Sequence, residues 1–567
     1  MASSRQHLAT HAFMTTRILF YIKDFLLATI SACLLVLSFP SFDLGWLAWV
    51  GLVPLLAALT GKSLGYSFVL SQVCGLFFFI GAFNWIVEIQ KFRIFHHMPL
   101  LLYTASYFGL FGLFFSLVSK RLGPMVGLTA APVIWTALEF IRSNMFFLAL
   151  PWGLLAHTQY QNLPVLQICT FTGAYGISFL ITMVNGALAA LIIPYVFRRP
   201  DPKGHTGRRP NRATLSLVTA TGVLILLVLL YGNLALSGSS AGKPLRISVV
   251  QGNIEQTQKW DPEHAGTIMQ IYAELSKQAA GDLPDLIVWP ETVTPRSINE
   301  DPRLYHEVKQ IAAKASAPIL LGSAQRQKFR QKEDDSKEYF NSAYLISPLS
   351  QPEKNQPYNK IRLLPWGEYL PLKDFIPWSS LLVPELSGYL PGEGVKVFHY
   401  LRFRFGVTIC WENIFPDLFR EFILKGAQFM VNITNEAWFG QSAVPYQFLA
   451  MSVLRAVENR VFVVRCANTG ISCFIDPYGR ILDRVKDARG KDIFVRGLLT
   501  GTVIPMEGHT FYTRYGNWPA WLSLLGFAGV LITAIIRKYH GPRWPAKCVA
   551  DLEGFGYSKF HKSETDS

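Results

Sequence analysis

Long apolar runs separated by short polar segments dominate the first 236 residues. These runs lie near residues 18–38, 45–61, 67–89, 99–119, 123–143, 165–196 and 214–236, and one more lies near 518–536. A helix needs about 20 mostly apolar residues to span a bilayer. The pattern therefore predicts eight transmembrane helices, seven before residue 237 and one close to the C-terminus.

Residues 237–510 follow a different pattern, in which short β-rich runs alternate with polar runs of helical type. The predicted strands cover 245–250, 285–289, 318–323, 341–346, 403–409, 427–433, 461–466 and 471–476, and the predicted helices cover 262–280, 302–316 and 442–460. This alternation is typical of a layered α/β domain. The charged stretch 326–338 is predicted to be a hairpin loop or a flexible excursion. We therefore divide the chain into an N-terminal segment, seven helices, an inserted α/β domain, an eighth helix and a tail, with the bounds 1–17, 18–236, 237–510, 511–537 and 538–567.

Composition and charge placement agree with a membrane protein. Only 16% of the 567 residues are charged and 50% are hydrophobic, whereas soluble proteins are about 25% charged. The formal net charge is +15, and most basic residues between the predicted spans fall on one side of the bundle. By the positive-inside rule that side is cytoplasmic, so the α/β domain is expected outside the cytoplasm and both termini inside. Lys91, Arg93 and Arg142 depart from this rule.

The same placement of charge explains the basic balance without nucleic acid, for which no RNP, zinc-finger or helix-turn-helix pattern is present. Seven scattered cysteines form no CxxC motif and no dense framework, so neither a zinc ribbon nor a disulfide scaffold is indicated. His96 and His97 have no further metal-ligating residue at helical spacing. We therefore expect no metal and no cofactor.

Three segments of the α/β domain end strands with residues that can carry chemistry. The first ends in Glu291, just after Trp289 and Pro290, and a carboxylate partly buried there can act as a base. The second contains Lys360, whose ammonium can stabilise an oxyanion. The third ends at Cys410, where a sharp turn would expose a thiol at the sheet edge. Each residue taken alone is more simply a turn carboxylate, a surface lysine or a core cysteine.

The three residues together, each at a strand end in the order Glu–Lys–Cys, resemble the nitrilase or carbon–nitrogen hydrolase superfamily. That resemblance implies an α-β-β-α sandwich. It also implies that Glu291 is the general base, Lys360 the oxyanion stabiliser and Cys410 the nucleophile.

Further motifs resemble the apolipoprotein N-acyltransferase family, which combines such a domain with membrane helices. They are Val250-Gln251-Gly252-Asn253-Ile254 with Lys259-Trp260, Trp289-Pro290-Glu291-Thr292, Pro365-Trp366-Gly367-Glu368-Tyr369, Thr434-Asn435-Glu436-Ala437-Trp438 and Arg514-Tyr515-Gly516-Asn517-Trp518. The resemblance implies transfer of an acyl chain from a glycerophospholipid to the α-amino group of a diacylglyceryl-cysteine at a lipoprotein N-terminus. The reaction would be ping-pong, with a thioester on Cys410, at the periplasmic face of a bacterial inner membrane.

The resemblance also implies roles for residues around the triad. Glu368 would be a second carboxylate that orders Lys360. Other residues would shape or border the substrate pocket, namely Trp260, Asn341, Trp411, Glu412 and Trp438. From its apolar sequence, independently of the resemblance, we expect the loop 375–384 either to dip into the outer leaflet and gate lipid access, through Trp378 and Leu381, or to pack on the membrane half as an ordinary interface.

Two other functions stay open at this point. A membrane-anchored amidase or nitrilase would use the same triad on a small extracytoplasmic amide and would need no phospholipid. A transporter with an accessory domain is a third interpretation, although few charged residues of the kind that line ion paths occur inside the spans. We take a monomer as the default oligomeric state.

Overall fold

The computed structural model describes residues 2–89, 94–196, 211–238, 242–259, 261–326, 339–349, 356–372, 375 and 388–540. The predicted excursion at 326–338 lies outside these residues except for Arg326, which ends a strand. The C-terminal tail beyond residue 540 also lies outside them.

The apolar half forms a bundle of helices. Its helices are α1 (Ala2–Ser38), α2 (Ala48–Gly51), α3 (Val53–Leu59), α4 (Leu64–Ala82), α5 (Ile94–Leu122), α6 (Pro124–Ser143), α7 (Leu163–Leu166), α8 (Cys169–Val196) and α9 (Arg212–Leu236). The last helix of the chain, α15 (Trp518–His540), packs back on α5 and α6. Within the described residues, seven helices are long and apolar enough to cross a membrane, and they correspond to seven of the eight predicted spans.

The predicted span at 45–61 differs, because it is broken into short helices over Gly45–Leu59. The side chain of Asn185 explains the break. Its Oδ1 accepts from the backbone N–H of Leu52 at 2.7 Å, and its Nδ2 donates to the carbonyl of Ala48 at 2.9 Å. Asn185 thus takes both partners of the hydrogen bond that would continue one helix through this point, and a side chain inserted in this way interrupts a helix.

The broken segment still carries the chain through the bundle. The carbonyls of Pro40 and Ala82, at the ends of α1 and α4, both accept from the Gln447 amide of the α/β domain, at 3.4 and 2.8 Å. Lys62 and Tyr66, at the start of α4, reach Asp24 deep within α1. The segment between α1 and α4 therefore returns from the domain side of the bundle to the opposite side, as an eighth pass requires.

The α/β domain is built on two sheets of six strands each within its described residues. The first has the order β12-β1-β2-β3-β4-β5 and the second β11-β10-β9-β8-β7-β6. The strands are β1 (Leu245–Gln251), β2 (Leu286–Val288), β3 (Ile319–Arg326), β4 (Tyr339–Ile346), β5 (Tyr358–Asn359), β6 (Val397–Tyr400), β7 (Phe403–Ile409), β8 (Phe429–Thr434), β9 (Phe462–Ala467), β10 (Cys473–Ile475), β11 (Ile481–Arg484) and β12 (Gly497–Val503).

The two sheets pack face to face and each is covered by helices. Helices α10 (Ala265–Ala280) and α11 (Pro302–Ala315) cover the first sheet, while α12 (Pro416–Leu424) and α13 (Val444–Asn459) cover the second. The burial follows the two-residue period of a strand: in β1, Val249 belongs to the core between the sheets and Val250 to the core beneath α10. The domain is therefore the expected α-β-β-α sandwich.

The sandwich rests on the bundle through buried polar contacts from α13. Gln447 also accepts from the Trp152 indole at 2.7 Å, and Glu458 accepts from the backbone N–H of Ala174 at 3.0 Å. Arg142, which departed from the positive-inside rule, is buried at the end of α6 and donates to the Gly153 carbonyl. It is therefore a structural residue and not an exposed loop charge. A short helix, α14 (Phe511–Tyr515), leads from the sandwich into α15.

Candidate active site

Three strand ends place the predicted triad residues. Glu291 follows β2 by three residues, Lys360 follows β5 directly, and Cys410 follows β7 directly. Cys410 has a positive φ of 56°, at the point where the strand passes into the short 3-10 helix Cys410–Ile414. Such a φ is uncommon for a residue other than glycine and concentrates at functional sites. The expected sharp turn at the cysteine is therefore present.

The carboxylate of Glu291 is buried and held by two donors. The Nδ2 of Asn341 donates to Oε1 at 2.7 Å, and the backbone N–H of Asn435 donates to Oε2 at 2.8 Å. The turn that carries Glu291 lies directly against Gly322 of β3, where an added Cβ would come within 2.6 Å of the Glu291 Cα. A glycine at this position lets the turn pack on the strand, which fixes the carboxylate in one orientation.

Lys360 lies between two carboxylates. Its Nζ is 2.9 Å from Glu368 and 3.8 Å from Glu291, and its side chain is almost fully buried. Asn341 also donates to Glu368 at 3.0 Å, so the same amide joins both carboxylates. The structure thus brings Glu291, Glu368, Lys360 and Asn341 into one cluster.

The electrostatics of the cluster follow from burial and close charges. Burial alone lowers the pKa of Lys360, but Glu368, ionised Cys410 and Glu291 outweigh it and raise that pKa above its ordinary value. Burial, followed by the charge of Glu291, raises the pKa of the Cys410 thiol, and Lys360 opposes the rise. The resting thiol is therefore protonated, and a base must take its proton during the reaction.

Glu412 joins the lysine loop to the cysteine turn. Its carboxylate accepts from the backbone N–H groups of Ile361 and Arg362, directly after Lys360, at 2.7 and 3.0 Å. It also accepts from the N–H of Ile409, directly before Cys410, at 2.9 Å, and from the Tyr358 hydroxyl at 2.9 Å. Burial raises the pKa of Glu412 to about 7, against these hydrogen bonds. This carboxylate therefore sets the distance between the ammonium and the thiol.

Replacing Glu412 by glutamine is expected to destabilise the domain and slow the reaction. The amide NH₂ would face backbone donors that the carboxylate now satisfies, and an unsatisfied buried donor costs about 1–3 kcal/mol. We expect a lower melting temperature and an activity loss of about 10-fold or more, because the Lys360 loop would shift relative to Cys410. Thermal unfolding and acyl-transfer rates measure the two effects.

Glu421→Gln is the matched control for Glu412→Gln, because Glu421 is an exposed carboxylate of α12. Exposed substitutions of this kind change stability by only about 0.5 kcal/mol. Equal stability and activity of the two variants would contradict the linking role of Glu412.

Of the other residues predicted to line the pocket, the structure describes Trp411 and Trp438 but not Trp260, Trp378 or Leu381. Trp411 is buried, donates its indole N–H to the Arg362 carbonyl at 2.5 Å, and packs edge-on against Phe415. Trp438 is 46% exposed and therefore lies at the surface of the protein. Trp260, Trp378 and Leu381 lie outside the described residues, so the proposed lipid gate does too, apart from the exposed flanking residue Phe375.

Two site residues were quoted in sequence motifs but not predicted to act at the site. Asn435 holds Glu291 through its backbone, a role that its side chain type does not indicate. Lys259 is 4% exposed and its Nζ donates to the Glu291 carbonyl at 2.9 Å. Its place eight residues after β1, beside Trp260 in a polar loop, resembles that of any surface lysine, and only the folded chain turns it inward.

A nitrilase-type sandwich with a buried carboxylate–ammonium cluster beside a half-buried cysteine, joined to an apolar helical bundle, defines a membrane-bound enzyme of the carbon–nitrogen hydrolase class. Residues 31–187 match the family described as the apolipoprotein N-acyltransferase N-terminal domain, and residues 246–503 match the carbon–nitrogen hydrolase family. The chain belongs to the apolipoprotein N-acyltransferase family. This membership favours an acyltransferase over the amidase and the transporter considered above.

Two relatives illustrate the match. The apolipoprotein N-acyltransferase of Geobacter metallireducens is 36% identical over 525 residues, which cover 91% of this chain and 96% of that protein. The apolipoprotein N-acyltransferase of Chlorobaculum tepidum is 30% identical, with coverage of 91% and 97%. Among solved structures, an amidase of Nesterenkonia sp. AN1 from the nitrilase superfamily is similar at 16% identity and a TM-score of 0.35, covering 50% of this chain and 100% of that one.

Proposed function

We propose that this protein transfers a fatty acyl chain from a glycerophospholipid to the α-amino group of the N-terminal diacylglyceryl-cysteine of lipoproteins. The observation that carries the proposal is the convergence of Cys410, Lys360 and Glu291, each close to a strand end, with the loop carboxylate Glu368, in a domain that rests on an apolar bundle. The curated relatives named as apolipoprotein N-acyltransferases support it.

In the first half-reaction the thiol becomes acylated. Glu291 takes the proton of Cys410 as the sulfur attacks the ester carbonyl carbon of the lipid. The new C–S bond converts the carbonyl oxygen into an oxyanion, which Lys360 stabilises while Glu368 holds the ammonium in place. The bond to the glycerol oxygen then breaks, the oxygen takes the proton from Glu291, and a lysophospholipid leaves.

In the second half-reaction the thioester is consumed by an amine. The lipoprotein α-amino nitrogen attacks the thioester carbonyl, Glu291 takes one proton from that nitrogen, and the C–S bond breaks to release an amide. The proton returns from Glu291 to the sulfur. A thioester suits this step because thiolate is a good leaving group toward an amine, provided that the site keeps water away.

The apolar helices of the membrane half support a reaction that takes place at a lipid surface. With eight passes, both termini would lie on the side opposite the sandwich, and the basic loops expected on that side support a cytoplasmic location for the termini. The active site would then face the periplasm at the outer leaflet of the inner membrane. The donor is held largely by burial of its chains, at about 0.8 kcal/mol per CH₂. We take the enzyme to act as a monomer.

Intact-protein mass spectrometry tests the proposal. The purified full chain in detergent is mixed with a phosphatidylethanolamine that carries a palmitoyl chain at one glycerol position and an oleoyl chain at the other. We expect the intact protein to gain the mass of one acyl chain, and a digest to locate that chain on the Cys410 peptide. The adduct should be removed by neutral hydroxylamine, as a thioester is. Addition of a diacylglyceryl-cysteine peptide should remove that mass and yield the peptide amide of the same chain.

The amidase alternative gives a different outcome in the same experiment. An amidase would release ammonia from a short water-soluble amide without phospholipid and would never acquire the acyl mass. A protein that behaves in this way would overturn the proposed acyl transfer.

A further inference from the structure

The charges around Glu291 are not balanced by Lys360 alone. Glu291 and Glu368 both lie within 4 Å of the single Lys360 ammonium. That ammonium is therefore already neutralised in the resting site. When the Cys410 sulfur and then the oxyanion take on negative charge, Glu291 has accepted the thiol proton, but Glu368 still neutralises Lys360, so these three residues offer the anion no net positive charge.

A second buried lysine, Lys259, contacts the turn that carries Glu291. The Nζ of Lys259 donates to the Glu291 backbone carbonyl at 2.9 Å, and no carboxylate oxygen of a described residue lies within 4 Å of it. Its charge acts on both the Glu291 carboxylate and the Cys410 sulfur, since each of these groups in its ionised form raises the pKa of Lys259. Buried lysines that are neither ion-paired nor on the surface are rare, because burial disfavours their charge.

We propose that Lys259 is a positioning residue that supplies the uncompensated positive charge facing the Cys410 sulfur, and that it does so while anchoring the turn that carries Glu291. With Lys259 charged and Glu291 protonated by the thiol, the cluster of Glu291, Glu368, Lys360 and Lys259 carries one net positive charge, so the anion that forms at the sulfur or the carbonyl oxygen is attracted. Its role in acyl transfer rests on the proposed function, but its effect on the thiol does not.

The proposal predicts that the effect of Lys259 on the reactivity of the Cys410 thiol depends on pH. Burial lowers the pKa of Lys259 to about 8, so its charge is present below pH 8 and is lost as the pH rises through 8. The other titratable groups that face this pocket are Glu291, Glu368, Lys360, Glu412, Tyr389 and Cys410 itself. All of these residues are present in both the unchanged protein and a Lys259 variant, so the ratio of their alkylation rates reports the contribution of the lysine.

Alkylation of Cys410 by iodoacetamide measures this effect without lipid. The full chain in detergent and its Lys259→Met variant are alkylated between pH 6 and 9.5, and the Cys410 peptide is quantified by mass spectrometry. A nearby cation lowers a thiol pKa by about 1–2 units, so we expect alkylation of Lys259→Met to be about 10- to 100-fold slower at pH 7. The ratio of the two alkylation rates should approach one at pH 9.5, where Lys259 is neutral in the unchanged protein.

Two further variants make the result decisive. Lys259→Arg keeps a charge at every pH, so its alkylation should exceed that of Lys259→Met at pH 7 and also at pH 9.5. Lys314→Met removes an exposed lysine of α11 and should change nothing. A Lys259→Met ratio that is constant across pH, or equal to one at pH 7, would overturn the proposal, since a purely structural lysine would act at all pH values alike.

The acyl-adduct experiment separates this inference from the proposed function. If no variant ever gains an acyl chain but the alkylation ratio changes with pH, the acyl transfer fails and the role of Lys259 in activating the thiol stands. If the adduct forms at equal rates in Lys259→Met and the unchanged protein, and the alkylation ratio is flat, only the inference about Lys259 fails.

Discussion

Replacing Cys410 by alanine or serine is expected to abolish the acyl adduct and to lower acyl transfer by about 10⁴-fold or more. Alanine has no nucleophile, and a serine hydroxyl in this buried cluster would need a far stronger base than Glu291. The variants should nevertheless fold, because Cys410 is only half-buried and the turn depends mainly on Glu412 and its backbone donors. Intact mass after incubation with phosphatidylethanolamine, and amide formation on the diacylglyceryl peptide, measure the loss.

Cys33→Ser is the control for this experiment, since Cys33 is an exposed cysteine of α1 far along the chain from the sandwich. It should retain both the adduct and full transfer. An adduct that persists in Cys410→Ala would mean that another group carries the acyl chain.

Replacing Glu291 by glutamine is expected to lower the rate of adduct formation by about 10²- to 10⁴-fold, the usual effect of losing a general base. The glutamine would also disturb the hydrogen bonds that now hold the Glu291 carboxylate. Both carboxylate oxygens accept hydrogen bonds, from Asn341 and from the backbone of Asn435. The glutamine NH₂ must face one of these donors, so the side chain would also leave its position.

Stopped incubations with phosphatidylethanolamine, followed by intact mass, measure the effect of Glu291→Gln. Glu274→Gln, which changes an exposed carboxylate of α10, is the matched control and should react at the normal rate. If Glu291→Gln kept a tenth or more of the normal acylation rate, Glu291 would not be the base, and Glu368 would become the next residue to test.

The strands and helices of the sandwich could be predicted well wherever a run of apolar residues was long. All eight predicted strands and all three predicted helices are present within a few residues of the predicted bounds. The elements that were missed are short or atypical. The strand β12 contains two glycines and therefore has low intrinsic strand propensity, yet it pairs with β1 along its whole length. A glycine is needed at position 501 because the Phe474 ring packs against it, and an added Cβ would come within 2.6 Å of that ring.

The membrane half shows where prediction by composition reaches its limit. Seven spans are present as long apolar helices, although α8 is kinked at Gly173, where the backbone N–H of Ala174 donates to Glu458 of α13. The segment at 45–61 is also apolar, but Asn185, 133 residues from Leu52 in sequence, takes both partners of one backbone hydrogen bond of that helix. No local pattern within 45–61 contains this information.

Hydrophobic periodicity and strand-ending motifs are local properties, and they were sufficient to predict the two-part architecture and the three strand ends that carry Glu291, Lys360 and Cys410. The order of the layers in the sandwich was predicted only from the family resemblance. Only the tertiary structure decided which groups surround those three residues. Asn341 reaches two carboxylates, Glu412 ties the lysine loop to the cysteine turn, and Lys259 turns inward to Glu291. These contacts join residues from different strands and loops, and the free energy that selects them comes from burial of the whole sandwich and not from any one segment.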